Sequence, residues 1–262
     1  MTAPSAGAGP ARAARPVLVT RPAERAERLI GLLEQEGLTV EHSPFVRLRL
    51  EHDADLREEV AALAAGAYTH LVITSRTAVE ALAAFRGEGP DPVLTVPAAT
   101  RVVAVGEGTA RALTDAGIEV ALVAGGSGAD LVAQMPPASP GDRVLFPASA
   151  AAAPTVPQGL AAAGYAVSPV IAYRPRAVPQ PAAVVRGLAL GSYAALVLTS
   201  PMIARLAASL RVHLSIPVVA IGRPTQEAAR EAGLTVHARA REATDEALAL
   251  AVSAAIAEHP RS

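Results

Sequence analysis

Nothing constrains this chain more than its internal repetition. Tyr68-Thr-His-Leu-Val-Ile-Thr-Ser75 returns 125 positions later as Tyr193-Ala-Ala-Leu-Val-Leu-Thr-Ser200. Val102-Val-Ala-Val-Gly106, followed by Thr109 and Gly117, returns 116 positions on as Val218-Val-Ala-Ile-Gly222 with Thr225 and Gly233. Val17-Leu-Val19, a helical stretch and Gly37 are echoed by Val144-Leu-Phe146, a helical stretch and Gly164. Such a period is the length of a domain, too long for a solenoid repeat of ~20–50 residues. The chain therefore holds two copies of one array.

Each copy alternates buried-strand runs with amphipathic stretches. Strands are expected at Arg15–Thr20, Leu38–Val40, His70–Thr74, Arg101–Val105, Ile118–Val123, Val218–Ile221 and Leu234–Ala238. Helices are expected at Ala23–Glu36, Arg76–Phe85, Thr109–Ala116 and Gln226–Ala232, with Gly37, Gly117 and Gly233 as stops. Strand–helix alternation of this kind gives a parallel sheet covered on both faces. Two further segments, Ser43–Leu50 and Ser168–Pro175, are extended and start with Ser-Pro, unlike a flexible linker. Paired antiparallel, they would form a two-stranded bridge by which the chain leaves one lobe and returns to it. The expected domains are a discontinuous α/β lobe (15–44 with 174–259), a continuous one (50–167) and hinge strands at 45–49 and 168–173.

Composition narrows the chemistry. With 262 residues and 51% hydrophobic content, two cores can be filled. The 23 basic and 24 acidic groups nearly balance, which argues against nucleic acid as a partner. Every basic residue counted there is arginine, so Schiff-base and P-loop chemistry are excluded, and without cysteine so is thiol chemistry. Residues 1–14 read as a disordered tail without the apolar core of a signal peptide. No apolar run reaches the ~18 residues of a membrane span. The expectation is a cytoplasmic protein without a membrane partner.

Sites of familiar design are missing. The six histidines form no metal-binding pattern and read mostly as solvated. Gly106-Glu-Gly108-Thr-Ala-Arg111 follows a strand and opens a helix, but Arg111 stands where a dinucleotide fingerprint needs its third glycine. Hydroxyls and glycines do gather at strand-to-helix junctions: Thr20-Arg21, Thr74-Ser75, Gly106 with Thr109, Thr199-Ser200, and Gly222 with Thr225. Capping accounts for several of them, at ~1 kcal/mol each. The same helix starts also offer free N–H groups and a positive dipole end to an anion.

The ordered set Thr-Arg-Pro, Thr-Ser, Val-Gly-x-x-Thr-Ala, Ala-Tyr-Arg, Thr-Ser, Ile-Gly-x-x-Thr resembles the uroporphyrinogen-III synthase family. The likeness is carried by Arg15–Leu33, Leu71–Phe85, Val102–Gly117, Ser168–Pro175, Leu196–Leu206 and Val218–Gly233. It implies two duplicated, flavodoxin-like parallel-sheet α/β lobes joined by a two-stranded β-ladder. It also implies a monomer that needs no cofactor and no metal. The substrate implied is hydroxymethylbilane, a linear tetrapyrrole with eight carboxylates. Loss of its terminal hydroxyl as water leaves an azafulvene. Ring D attacks through its substituted carbon, and reclosure of the spiro intermediate inverts that ring. By the same resemblance Tyr173 stands near the leaving hydroxyl, while Arg21, Ser75, Gly106, Thr109, Ser200, Gly222 and Thr225 bind substrate between the lobes. Ala148–Pro157 departs from the family pattern, lacking its arginine. Pro154 and Pro157 are expected to leave little room there for an ordinary helix start. The alternative on the same scaffold is a non-catalytic regulatory module that binds a small anion or a tetrapyrrole.

Overall fold

Short apolar runs set the strands, and the polar residue or glycine after each run sets the next helix. The computed structural model describes residues 15–85 and 93–259; the tail expected over 1–14 lies outside them. From the N-terminus come β1 (Val17–Val19), α1 (Glu27–Gln35), β2 (Val40–His42), β3 (Val46–Leu50), α2 (Ala54–Ala64), β4 (His70–Ile73) and α3 (Arg76–Ala83). Then follow β5 (Arg101–Ala104), α4 (Glu107–Asp115), β6 (Leu122–Val123), α5 (Gly128–Gln134), β7 (Arg143–Ser149), α6 (Thr155–Ala162) and β8 (Ala166–Ala177). The last are α7 (Ala182–Ala189), β9 (Ala195–Leu198), α8 (Pro201–Ala208), β10 (Val218–Ala220), α9 (Arg223–Glu231), β11 (Ala238–Arg239) and α10 (Asp245–Glu258).

By its internal contacts the chain divides into two units, Met1–Arg47 with Ala177–Ser262, and Leu48–Arg176. The sheet of the first unit has the order β11-β10-β9-β1-β2, and its strand pairs are parallel. The second sheet has the order β3-β8-β7-β4-β5-β6. The repeats noted above equate β4, β5, β6, β7 and β8 with β9, β10, β11, β1 and β2. With that substitution the second sheet reads in the same order as the first, with β3 added at its edge. The two copies are thus one strand order entered at different points. Taken from β1 onward, the first sheet is the flavodoxin-like order, whose switch point falls between β1 and β9. Its counterpart in the second sheet falls between β7 and β4.

Alternation along the strands fills a core on each face of each sheet. In the first unit Leu18, Leu196, Leu198 and Val218 pack with Leu188, Ile203 and Ala228, while Val17, Val19, Val197 and Val219 pack with Leu29, Leu33 and Val252 on the other face. In the second, Leu71, Ile73, Val102 and Leu145 pack with Leu56, Leu82 and Leu113, and Val72, Val103, Val144 and Phe146 pack with Leu131 and Leu160. Gly37, Gly117, Gly164 and Gly233 follow their helices at φ 77°, 78°, 97° and 84°. Only glycine adopts that region without strain, so these helices stop where expected.

β3 lies beside β8. The Glu51 N–H donates to the Ala172 carbonyl and the Val178 N–H to the Phe45 carbonyl, both at 2.9 Å. The two connectors are therefore an antiparallel pair at the sheet edge, and the chain passes from one unit to the other along them.

Some expectations change. The helix expected over Ala23–Glu36 is a 3-10 turn at Ala23–Arg25 followed by α1, because Arg25 and Ala26 bond back to Pro22 and Ala23. The strand expected at Ile118–Val123 shrinks to β6, and the one expected at Leu234–Ala238 shortens and shifts to β11, sharing only Ala238; both are outermost strands with a partner on one side only. The prolines near Ala148–Pro157 do not prevent a helix: Pro154 is the N-cap of α6 and Pro157 lies in its first turn, where no N–H is needed. His70 is buried at 5% exposure rather than solvated.

Candidate active site

The polar junction residues all lie just beyond the C-terminal ends of parallel strands, where α/β sheets bind ligands. In the first unit, Thr20 follows β1 and is fully buried; its hydroxyl donates to the Val197 carbonyl at 2.6 Å. That bond ties β1 to β9 at the switch point. Ser200 then caps α8, accepting the Ile203 N–H at 3.2 Å. On the neighbouring strand β10, Gly222 is the extended N-cap of α9 (φ −172°), and Thr225 is that helix's third residue.

The second unit repeats this arrangement. Ser75 caps α3, accepting the Ala78 N–H at 3.1 Å. On the next strand Gly106 is the extended N-cap of α4, with Thr109 third in the helix. A Cβ on Gly106 would lie 3.2 Å from the Gly126 Cα, so two backbone turns meet closely there. A Cβ on Gly222 would meet nothing nearer than Pro224 Cδ at 3.9 Å. The repeated glycine is thus a steric need in one copy and not in the other.

Thr109 and Thr225 are largely buried, at 7% and 3% exposure. Neither hydroxyl has a hydrogen-bond partner among the described residues, and neither is among the fully buried unpartnered atoms. Each hydroxyl is therefore the solvent-touching tip of a packed side chain.

Arg21 is placed differently from expectation. It is 8% exposed, and one terminal nitrogen lies 2.6 Å from an Asp245 oxygen and donates to the Arg25 carbonyl at 2.9 Å. His42 Nε2 lies 3.0 Å from the Arg21 carbonyl. Asp245 neutralises much of the guanidinium charge, so Arg21 first of all ties the end of β1 to the start of α10. Tyr173 is 5% exposed and its ring packs in the second unit's core. It stands opposite Ser149, where a β-bulge interrupts the β7–β8 register, and its carbonyl accepts the Ala150 N–H at 2.9 Å. It thus sits beside the C-terminal end of β7, on the side away from the switch point between β7 and β4. Ser149 folds the alanine-rich segment into a turn by accepting the Ala151 N–H at 3.1 Å.

At the opposite, N-terminal end of β4, His70 contacts the Thr69 hydroxyl at 2.8 Å and the Tyr165 ring edge-on at 5.2 Å. Burial holds its pKa below the usual 6.5, with Arg101 acting the same way and Asp142 opposing. It lies away from the junctions and has a structural role.

The sequence model of uroporphyrinogen-III synthase HemD matches residues 27–249. The chain belongs to the uroporphyrinogen-III synthase family. The activity of that family is cyclisation of hydroxymethylbilane in tetrapyrrole biosynthesis. A crystal structure of a mutant uroporphyrinogen III synthase from the extremely thermophilic bacterium Thermus thermophilus is similar over 94% of this chain and 100% of that one, at 21% identity and TM-score 0.58. The uroporphyrinogen-III synthetase of Helicobacter pylori is similar over 92% of this chain and 99% of its own, at 16% identity and TM-score 0.60. At such identities the likeness speaks for the fold, two α/β units with largely parallel sheets. No curated protein matches the sequence significantly. No helix among the described residues is long and apolar enough to cross a membrane.

Proposed function

We propose that this family member converts hydroxymethylbilane to uroporphyrinogen III with inversion of ring D, and that the duplicated helix starts hold the substrate. The carrying observation is the repeated pair of packed threonines, Thr109 and Thr225, whose hydroxyls have no protein partner among the described residues. Each stands one strand away from a capping serine, Ser75 or Ser200, at the same point of the same strand order. Carboxylates accept from these hydroxyls and from first-turn amides, whose dipoles favour negative charge. Gly106 and Gly222 let the backbone approach the ligand, and Arg21 contributes the donors that Asp245 leaves over.

Tyr173 assists the first bond change. Its phenol donates a hydrogen bond to the terminal hydroxyl; the C–O bond breaks, the hydroxyl takes up a proton and departs as water, and the pyrrole nitrogen beside it gives up its proton, leaving the neutral azafulvene. The substituted carbon of ring D then attacks to form the spiro intermediate. Opening of that intermediate and reclosure at the other carbon inverts the ring. The protein supplies positioning and electrostatic stabilisation, keeping a flexible polyanion in one productive curl. It acts as a monomer in the cytoplasm.

The test is incubation of the protein with hydroxymethylbilane and separation of the type I and type III products. Type III product above the protein-free control supports the proposal. Type I product alone, at the spontaneous rate, refutes it and turns attention to tetrapyrrole binding without turnover.

A further inference from the structure

The edge of the second sheet carries a concentration of positive charge that the helix starts do not explain. The bonds from Glu51 to Ala172 and from Val178 to Phe45 lie six residues apart on each strand, so no bulge separates them. Their antiparallel register sets Arg49 opposite Arg174, with Arg176 two residues further along β8. Residues two apart share a face of a strand, so the guanidinium groups of Arg49, Arg174 and Arg176 emerge on one face of the β3–β8 ladder. The other face is apolar: Leu48 and Leu50 pack onto the core that contains Tyr173.

Little on the chain offsets this charge. Arg174 Nε lies 3.5 Å from Glu51. Among the described residues, Arg49 and Arg176 have no ion-pair partner, and both are exposed. Like charges directly opposite each other weaken a ladder. The chain as a whole has a net charge of -1, so these neighbours do not follow from a basic composition. A local arrangement that lowers stability without an internal compensation is the signature of a site awaiting its ligand. Neighbouring guanidinium forks suit planar carboxylates, each accepting two parallel N–H bonds.

We propose that Arg49, Arg174 and Arg176 form a carboxylate-binding site on this ladder, and that it takes the acetate and propionate arms of the linear tetrapyrrole. This deepens the proposed function and rests on it for the identity of the ligand.

The experiment uses the full chain, Arg49→Gln, Arg176→Gln, their double variant, and Arg28→Gln as a control for net charge. Arg28 is exposed and pairs with Glu246 on the other unit. Two readouts are taken: calorimetric binding of mellitate, a benzene hexacarboxylate, and the KM and kcat for hydroxymethylbilane. Each ladder substitution should weaken mellitate binding roughly 3–10-fold and raise KM by a like factor with kcat nearly unchanged. Arg28→Gln should leave both as in the parent. Melting temperatures of the ladder variants should hold or rise, because a like-charge pair has been relieved.

A double variant with parent KM and parent mellitate affinity would overturn the site while leaving the proposed reaction standing. A fall in melting temperature in both single variants would overturn it too, by making the arginines structural. Mellitate binding that follows the arginines in a chain that makes no type III product would keep the anion site and refute the reaction.

Discussion

Thr109, Thr225 and Tyr173 are packed side chains, and removal of a hydroxyl from each is a local change. Tyr173→Phe keeps the ring in its core and should leave folding and substrate affinity nearly unchanged. A hydrogen bond that strengthens only as the hydroxyl leaves is worth ~1–3 kcal/mol, so type III turnover should fall roughly 10- to 100-fold. Turnover at the parent rate, measured with type I and type III products separated, would make the residue structural. His70 carries a different prediction. Its folded pKa is depressed, so the unfolded chain binds the proton more readily. Stability is then full above pH ~6.5 and falls as the pH drops below it. His237, also depressed by burial, adds to the same slope. Urea melts of the parent between pH ~7.5 and ~5 should show the loss, and His70→Gln should flatten it. An identical slope in that variant would contradict the assigned cause. None of this was legible in the sequence, where His70 is simply the first residue of a strand run. Nor was the Arg21 pair, because Asp245 lies 224 positions away.

At the scale of the helix, the copies differ in what they offer an anion. Pro201 opens α8, and Pro224 stands in the first turn of α9. Each removes one N–H donor from a helix start in the first unit. The repeat partners of these residues are Arg76 and Gly108, which keep their amides. Gly108→Pro would therefore give α4 the chemistry of α9 while staying in a turn that tolerates proline. Folding should survive, and KM should rise roughly 10-fold if that amide meets a carboxylate. An unchanged KM would remove the amide from the site. Close helix packing sets another expectation: a Cβ on Gly159 of α6 would lie 2.8 Å from Val132 of α5. Gly159→Ala should cost about 1–3 kcal/mol in a denaturant melt through overpacking, against the ~1 kcal/mol that helix propensity would return. A variant as stable as the parent would show that the two helices separate easily. The junctions were legible because each repeat pins a strand end, a hydroxyl or glycine, and a stopping glycine in one short run. The charged ladder was not, because Arg47-Leu-Arg-Leu50 alone reads as an ordinary half-exposed strand; only its register with β8 brings the arginines together.

For the whole molecule, the duplication is the deepest fact. Two copies of one strand order place a serine cap and a packed threonine at the same point of each sheet, although their chain entry points differ. The pairing of copies was legible from the matched runs, and so was the bridge from its Ser-Pro segments. The unit boundary was less so, since β8 runs unbroken from Ala166 to Ala177 through positions the sequence divides between lobe and hinge. The central proposal is that the helix starts of each unit bind tetrapyrrole carboxylates. Thr109→Val and Thr225→Val test it most directly, measured separately for stability and for the ratio of type III to type I product. Each hydroxyl lacks a protein partner among the described residues, so each variant should melt within ~1 kcal/mol of the parent. Each alone should lower type III formation roughly 10-fold, and spontaneous closure should shift the product toward type I. If either variant makes type III product at the parent rate and ratio, one unit takes no part in holding the substrate, and the account is wrong.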